Sequence, residues 1–141
     1  MMIRPILFLV VLAVAAPALA DTVRCKAVEG RPTVTLEVTL TGEAREAATV
    51  TRLDADLGDF TISTAGNPPE RIAGQETGDG RLSIDLTDPD DIWIVLRLKL
   101  VRDTEYHRLQ DDETDENWRS VVAGTLSVLG VGVWAVTCEG W

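Results

Sequence analysis

The densest run of potential ligands in the chain is Asp111-Asp112-Glu113-Thr114-Asp115-Glu116. The carboxylates of Asp111, Asp112, Glu113, Asp115 and Glu116 are hard oxygen donors of the kind Ca²⁺ takes. However, EF-hand spacing and its central glycine are absent. A block of like charge ordinarily repels itself and stays solvated. The run is therefore read first as a solvated acidic loop and second as a cation-binding or cation-stabilised module. Ca²⁺ is the one cofactor it suggests, and no metal site is assigned. Asp88-Pro89-Asp90-Asp91 reads as ordinary turn chemistry.

His107 is the single histidine, beside the single tyrosine, Tyr106. A histidine next to acids can serve as a general base, which makes a hydrolase centred on His107 a third hypothesis. No serine lies in G-x-S-x-G and no H-E-x-x-H is present. An exposed loop histidine is the plain reading, and no catalytic residue is assigned. The protein is expected not to be an enzyme.

Two cysteines, Cys25 and Cys138, stand near opposite ends of the chain without a CxxC or a histidine cluster. That spacing excludes a redox pair or zinc site and predicts one structural disulfide. Closing a loop of on the order of 100 residues contributes at most about 4–5 kcal/mol through chain entropy.

Three of the four tryptophans fall in the run from Trp118 to Trp141, two apolar β-rich segments hinged at Gly130. Trp118, Trp134 and Trp141 are expected in the core or at its rim. The second segment is apolar on both faces, with Trp134, Val136 and Cys138 on one and Val131, Val133 and Ala135 on the other. Trp93 and Val95 likewise oppose the apolar face Ile92, Ile94, Leu96. A half-buried strand has one polar face. Either a loop or the chain ends cover this second face, the reading preferred here, or it is a binding patch of Trp93, Val95, Val131, Val133 and Trp134.

The elements that position these residues read as strands throughout. Thr33 to Leu40 alternates without a fault between Val34, Leu36, Val38, Leu40 and a polar face. Thr22 to Val28 and Ala48 to Asp56 are further strands, the latter with a bulge near Thr51-Arg52 because Val50 and Leu53 differ in parity. Phe60 and Ile62 mark a short fourth strand. Ala65 to Gly80, with Asn67-Pro68-Pro69 and four glycines, reads as a mobile loop. Leu82, Ile84 and Leu86 form a strand that pairs with one over Ile92 to Arg102, with Leu86 opposite Ile92 and Ile84 opposite Ile94. An acidic connection from Asp103 to Asn117 precedes the closing hairpin.

Eight antiparallel strands result. An even meander places first and last strands side by side, so an eight-stranded barrel closed by Cys25–Cys138 is expected, with a two-sheet β-sandwich as the alternative. An eight-stranded outer-membrane barrel fits export and strand number. Against it stand Glu139 on the alternation of Trp141, missing aromatic girdles and short strands.

Residues 1 to 20 read as a signal peptide: Arg4, an apolar run from Pro5 to Ala16, and Ala18-Leu19-Ala20 before Asp21. The apolar run is shorter than a spanning helix, and no cysteine directly follows Ala20. Residues 21–141 then form a single all-β domain, exported to the periplasm or secreted. Losing Arg4 leaves 12 basic against 23 acidic residues, a net charge of −11. Such a surface repels nucleic acid and anionic lipid, so neither nucleic acid nor, after signal cleavage, membrane is an expected partner. The expected role is a non-catalytic binding module for a protein or a small apolar ligand, for example an inhibitor of an exported hydrolase.

Overall fold

The computed structural model describes residues 20–41, 47–108 and 116–141, with side chains described for 21–41, 47–103 and 121–141. Residues 1–19 of the expected signal peptide (1–20) and the side chains of the expected cation loop, Asp111 to Glu116, lie outside what is described. Nine strands run in chain order: β1 (Ala20–Ala27), β2 (Thr33–Thr41), β3 (Ala47–Asp56), β4 (Thr61–Ser63), β5 (Arg71–Gly78), β6 (Arg81–Thr87), β7 (Ile94–Arg108), β8 (Glu116–Val128) and β9 (Gly132–Glu139). No helix occurs among the described residues.

All nine belong to one antiparallel sheet in the order β4-β3-β2-β1-β9-β8-β7-β6-β5. The sheet curls into a half-barrel. It is neither the closed eight-stranded barrel nor the two-sheet sandwich that the alternation suggested. First and last strands do pair, with Cys25 opposite Cys138 and Lys26 opposite Thr137. The opening lies instead between β4 and β5, which are consecutive in the chain but occupy opposite edges. Strand β4 is only three residues long and covers β3 from Asp54 to Asp56 alone.

Beyond β4, the edge of β3 is met mainly by side chains in place of a regular ladder. The Leu53 N–H donates to Thr64 Oγ1 at 3.1 Å, and the Thr64 N–H returns a bond to the Leu53 carbonyl at 3.0 Å. The Val50 N–H donates to Gln75 Oε1 at 2.9 Å while Gln75 Nε2 donates to the Val50 carbonyl at 3.3 Å. The Ala48 N–H donates to Thr77 Oγ1 at 3.1 Å. Gln75 and Thr77 belong to β5, so the two halves of the sheet are joined through side chains. An uncovered strand edge is a pairing hazard, and these side chains occupy it.

Strand β5 replaces the second half of the expected mobile loop. Ile72 is its one large apolar residue and none of its eight positions is fully buried. A strand with no core face carries no period-two signal, which is why the sequence pattern hides it. Its ladder to β6, with a bulge between Ile72 and Gly74, and its side-chain bonds to β3 hold it.

The inner face buries Val23, Val34, Leu36, Val38, Val50, Leu53, Leu82, Ile84, Leu86, Leu96, Leu98, Leu100, Leu126 and Val136. Each such side chain contributes about 1.5–3 kcal/mol when removed from water. The bulge expected at Thr51-Arg52 is present: Glu37 faces Arg52 and Val38 faces Val50, leaving Thr51 extra. That slip lets Val50 and Leu53 both enter the core.

The register of β6 with β7 differs from expectation by four residues. Leu86 faces Leu96, Ile84 faces Leu98 and Leu82 faces Leu100. Parity is kept, so the buried face is the expected one, but Ile92 and Ile94 fall outside the core. The local cause is the connection after Thr87. The Asp88 carboxylate accepts from the N–H groups of Ile92 (2.7 Å) and Trp93 (2.8 Å), and Asp91 sits at φ 57°. These bonds hold Ile92 and Trp93 in the loop, where the expected strand would have begun at Ile92.

Strands β7 and β8 extend well past the expected hairpin, pairing Tyr106 with Trp118, His107 with Asn117 and Arg108 with Glu116. His107 is therefore a strand residue and not a loop residue, and Glu116 opens β8.

The outer face is charged at mid-sheet. Arg97 grips Asp85 through Nε at 2.7 Å and Nη2 at 3.0 Å, and Arg52 Nε lies 2.8 Å from Asp54. An apolar inside and a charged outside invert the arrangement of an outer-membrane barrel, whose lipid face is apolar.

Candidate interaction surface

The described residues gather no cluster of metal-ligating side chains: no group of three or more His, Cys, Asp or Glu is placed to hold a metal there. Among the described residues two carboxylates are held below their ordinary range, and both serve the fold. Burial pushes Asp54 up, but hydrogen bonds from Ser63 and Arg52 outweigh it. The Arg97 hydrogen bond lowers Asp85 against a smaller opposing effect of burial. Cys25 and Cys138 are bonded to each other, with an S–S distance of 2.03 Å.

The distribution of exposed apolar side chains is uneven. Ten large hydrophobic residues are exposed among the described ones: Val28, Phe60, Ile92, Trp93, Ile94, Val101, Val121, Leu129, Val131 and Val133. Only Val101 and Val121 lie along the strands away from the turns. The other eight come from four separate turns, β1–β2, β3–β4, β6–β7 and β8–β9, or from the first two residues of the strand that follows. In an antiparallel sheet with this order, those four turns share one end.

Direct contacts tie the turns together. The Leu129 N–H donates to the Val95 carbonyl at 2.9 Å, joining the β8–β9 turn to the start of β7. The Val28 N–H donates to the Ala135 carbonyl at 2.8 Å, joining the β1–β2 turn to β9. A shallow depression there is lined by Val28, Glu29, Val133 and Trp134, and another by Ile94, Val95, Ser127, Leu129 and Arg97, whose guanidinium is engaged by Asp85. Gly58 packs near Arg31, so the β3–β4 turn lies next to the β1–β2 turn. Arg71 reaches Asp91 at 3.4 Å from the β5 side.

The β6–β7 loop carries two of the exposed apolar side chains on a hydrogen-bonded backbone. Ile92 and Trp93 are adjacent, 66% and 63% exposed, and both are fixed by the single Asp88 carboxylate. The Thr87 hydroxyl donates to Asp91 at 2.7 Å, and the Asp88 N–H closes on the Trp93 carbonyl at 3.0 Å. An exposed tryptophan on a hydrogen-bonded loop is presented rather than merely uncovered. Ordering the loop beforehand lowers the entropic cost of binding.

Of the five patch residues expected from sequence, Trp93, Val131 and Val133 are exposed at this end. Val95 and Trp134 are half-buried and packed against the core. Val95 is the extra residue of a bulge in β7, and the indole of Trp134 lies beneath Gly30 and Gly132. Among the described residues nothing covers the second apolar face of β9 at Val133, which is 69% exposed. Val28, Phe60, Ile92 and Leu129 were missed. Their signal was present, since each stands beside turn formers (Glu29-Gly30, Gly58-Asp59, Asp90-Asp91, Gly130), where a large apolar residue has no core to enter.

No family model matches this chain, and no curated protein or solved structure is detectably similar to it.

Proposed function

We propose that this is a non-catalytic interaction module of an exported protein, which recognises a protein partner through the turns at one end of its sheet. The supporting observation is the concentration there of eight exposed large apolar residues from four turns, with Ile92 and Trp93 held in place by Asp88. Contiguous apolar patches of this kind mark interaction sites, whereas scattered single residues do not. A solid interior favours surface recognition over carriage of a small apolar ligand. Leu36, Leu53, Leu86, Leu98 and Leu126 fill the space such a ligand needs.

The test is site-specific photo-cross-linking in the cells that make the protein, with the photoreactive residue at position 93 or at position 37. Glu37 is exposed at mid-sheet, away from the turns. A discrete adduct at 93 and none at 37 is expected. Equal labelling at both positions, or none at 93, removes the interaction surface.

A further inference from the structure

Resting on that interaction surface, we infer that its partner is a cationic, apolar polypeptide segment. The turns that supply the apolar residues also carry carboxylates: Glu29, Asp59, Asp88, Asp90 and Asp91. Arg31 is the one basic residue within the same turns. Arg71, at the foot of β5, is engaged with Asp91, and Asp88 is used inside its loop. Glu29, Asp59 and Asp90 have no ion-pair partner among the described residues and face solvent beside Val28, Phe60 and Ile92.

Apolar anchors ringed by an excess of one sign of charge favour a partner of the opposite sign. The anchors supply affinity, and the charge supplies orientation and encounter rate. The same ring disfavours a lipid surface. Anionic headgroups repel it, and seating Ile92 and Trp93 in a bilayer strips water from neighbouring carboxylates without pairing them.

The probe is a random twelve-residue peptide library selected on the protein, in parallel with Trp93→Ser/Val131→Ser and Glu29→Gln/Asp59→Asn/Asp90→Asn variants. All five positions are exposed, and unchanged melting curves verify folding. Peptides selected on the unmodified protein are expected to combine Lys or Arg with aromatic or aliphatic residues. They are expected to bind the serine variant at least tenfold more weakly, and the charge variant several-fold more weakly, with affinity falling between 50 and 300 mM NaCl. These salt values are roughly chosen to bracket physiological screening. Apolar peptides without basic enrichment that still need Trp93 overturn the cationic class and leave the interaction surface standing. Peptides indifferent to the serine substitutions, or no peptides at all, overturn both. Co-flotation with phosphatidylcholine or phosphatidylglycerol vesicles, lost in the serine variant, overturns the polypeptide in favour of lipid.

Discussion

The side-chain amide of Gln75 pairs with both backbone groups of Val50, accepting from its N–H and donating to its carbonyl. A primary amide has the donor and acceptor of a peptide group, so one side chain substitutes for a missing strand at this point. Val50 is 2% exposed, and its backbone has little water to turn to if Gln75 is removed.

Replacing Gln75 by alanine is therefore expected to destabilise the protein by about 1–3 kcal/mol, the cost of leaving buried backbone groups unpaired. Urea denaturation reads the loss, and hydrogen exchange should quicken at the Val50 and Ala48 amides before it does in β7 or β8. An unchanged midpoint together with unchanged exchange at Val50 refutes the bridging role.

Asp85 and Arg97 give a pH dependence of known sign. Because Asp85 is lowered in the folded state, the unfolded chain binds its proton more readily. Its stabilising contribution is thus complete above the ordinary carboxylate range and is lost as pH falls through the lowered folded value. Asp85→Asn should reduce the melting temperature slightly at neutral pH and leave a shallower decline in acid. The pair is partly exposed, so the difference is small and shrinks in high salt. A variant whose acid limb superimposes on the parent's would show that Asp85 is not coupled to folding.

Gly124 tolerates no side chain. It stands opposite Leu100 in the β7–β8 ladder, and a Cβ built there falls within the carbonyl of Lys99. Gly124→Ala is expected to cost at least about 1–3 kcal/mol through forced backbone movement. Gly130→Ala has open space around it and meets only the cost of a left-handed φ of 72°. Thermal melts of the two variants should rank in that order.

The exposed turn residues should separate binding from stability. Trp93→Ser and Val133→Ser are expected to change stability by no more than about 0.5 kcal/mol, whereas Leu36→Ala at 0% exposure costs about 2–5 kcal/mol. Large destabilisation by Trp93→Ser would mean that the indole packs as core.

Much of this fold was legible because half-buried strands announce themselves. Thr33 to Leu40 alternates, and Val50 with Leu53 betrays a bulge through parity alone. Parity also chose the buried face of β7 correctly, while the four-residue error in its pairing arose because Asp88, not strand periodicity, sets the loop. Strand β5 was illegible for the same physical reason that makes it an edge: it buries almost nothing. The candidate surface was half visible. Trp93, Val131 and Val133 were recognised as surplus apolar residues, but gathering them with Val28, Phe60 and Leu129 required knowing that four turns share one end.

Removing the cross-link between β1 and β9 provides a separate check on the middle of the sheet. Cys25→Ala/Cys138→Ala should fold with the same ladder but lose about 2–5 kcal/mol, since the two cysteines lie 113 positions apart. Destabilisation absent from equilibrium denaturation would mean the ladder alone constrains the ends.

Because the first strand made pairs with the last, the middle of the sheet is the final part to be assembled. Until β9 is available, β1 and β8 each present an unpaired edge, and the contacts that join them span nearly the whole chain. Folding of this kind is slow and cannot be completed piecemeal from the N-terminus. Any chain halted before Gly132 would keep both edges open, ready to pair with another copy of itself.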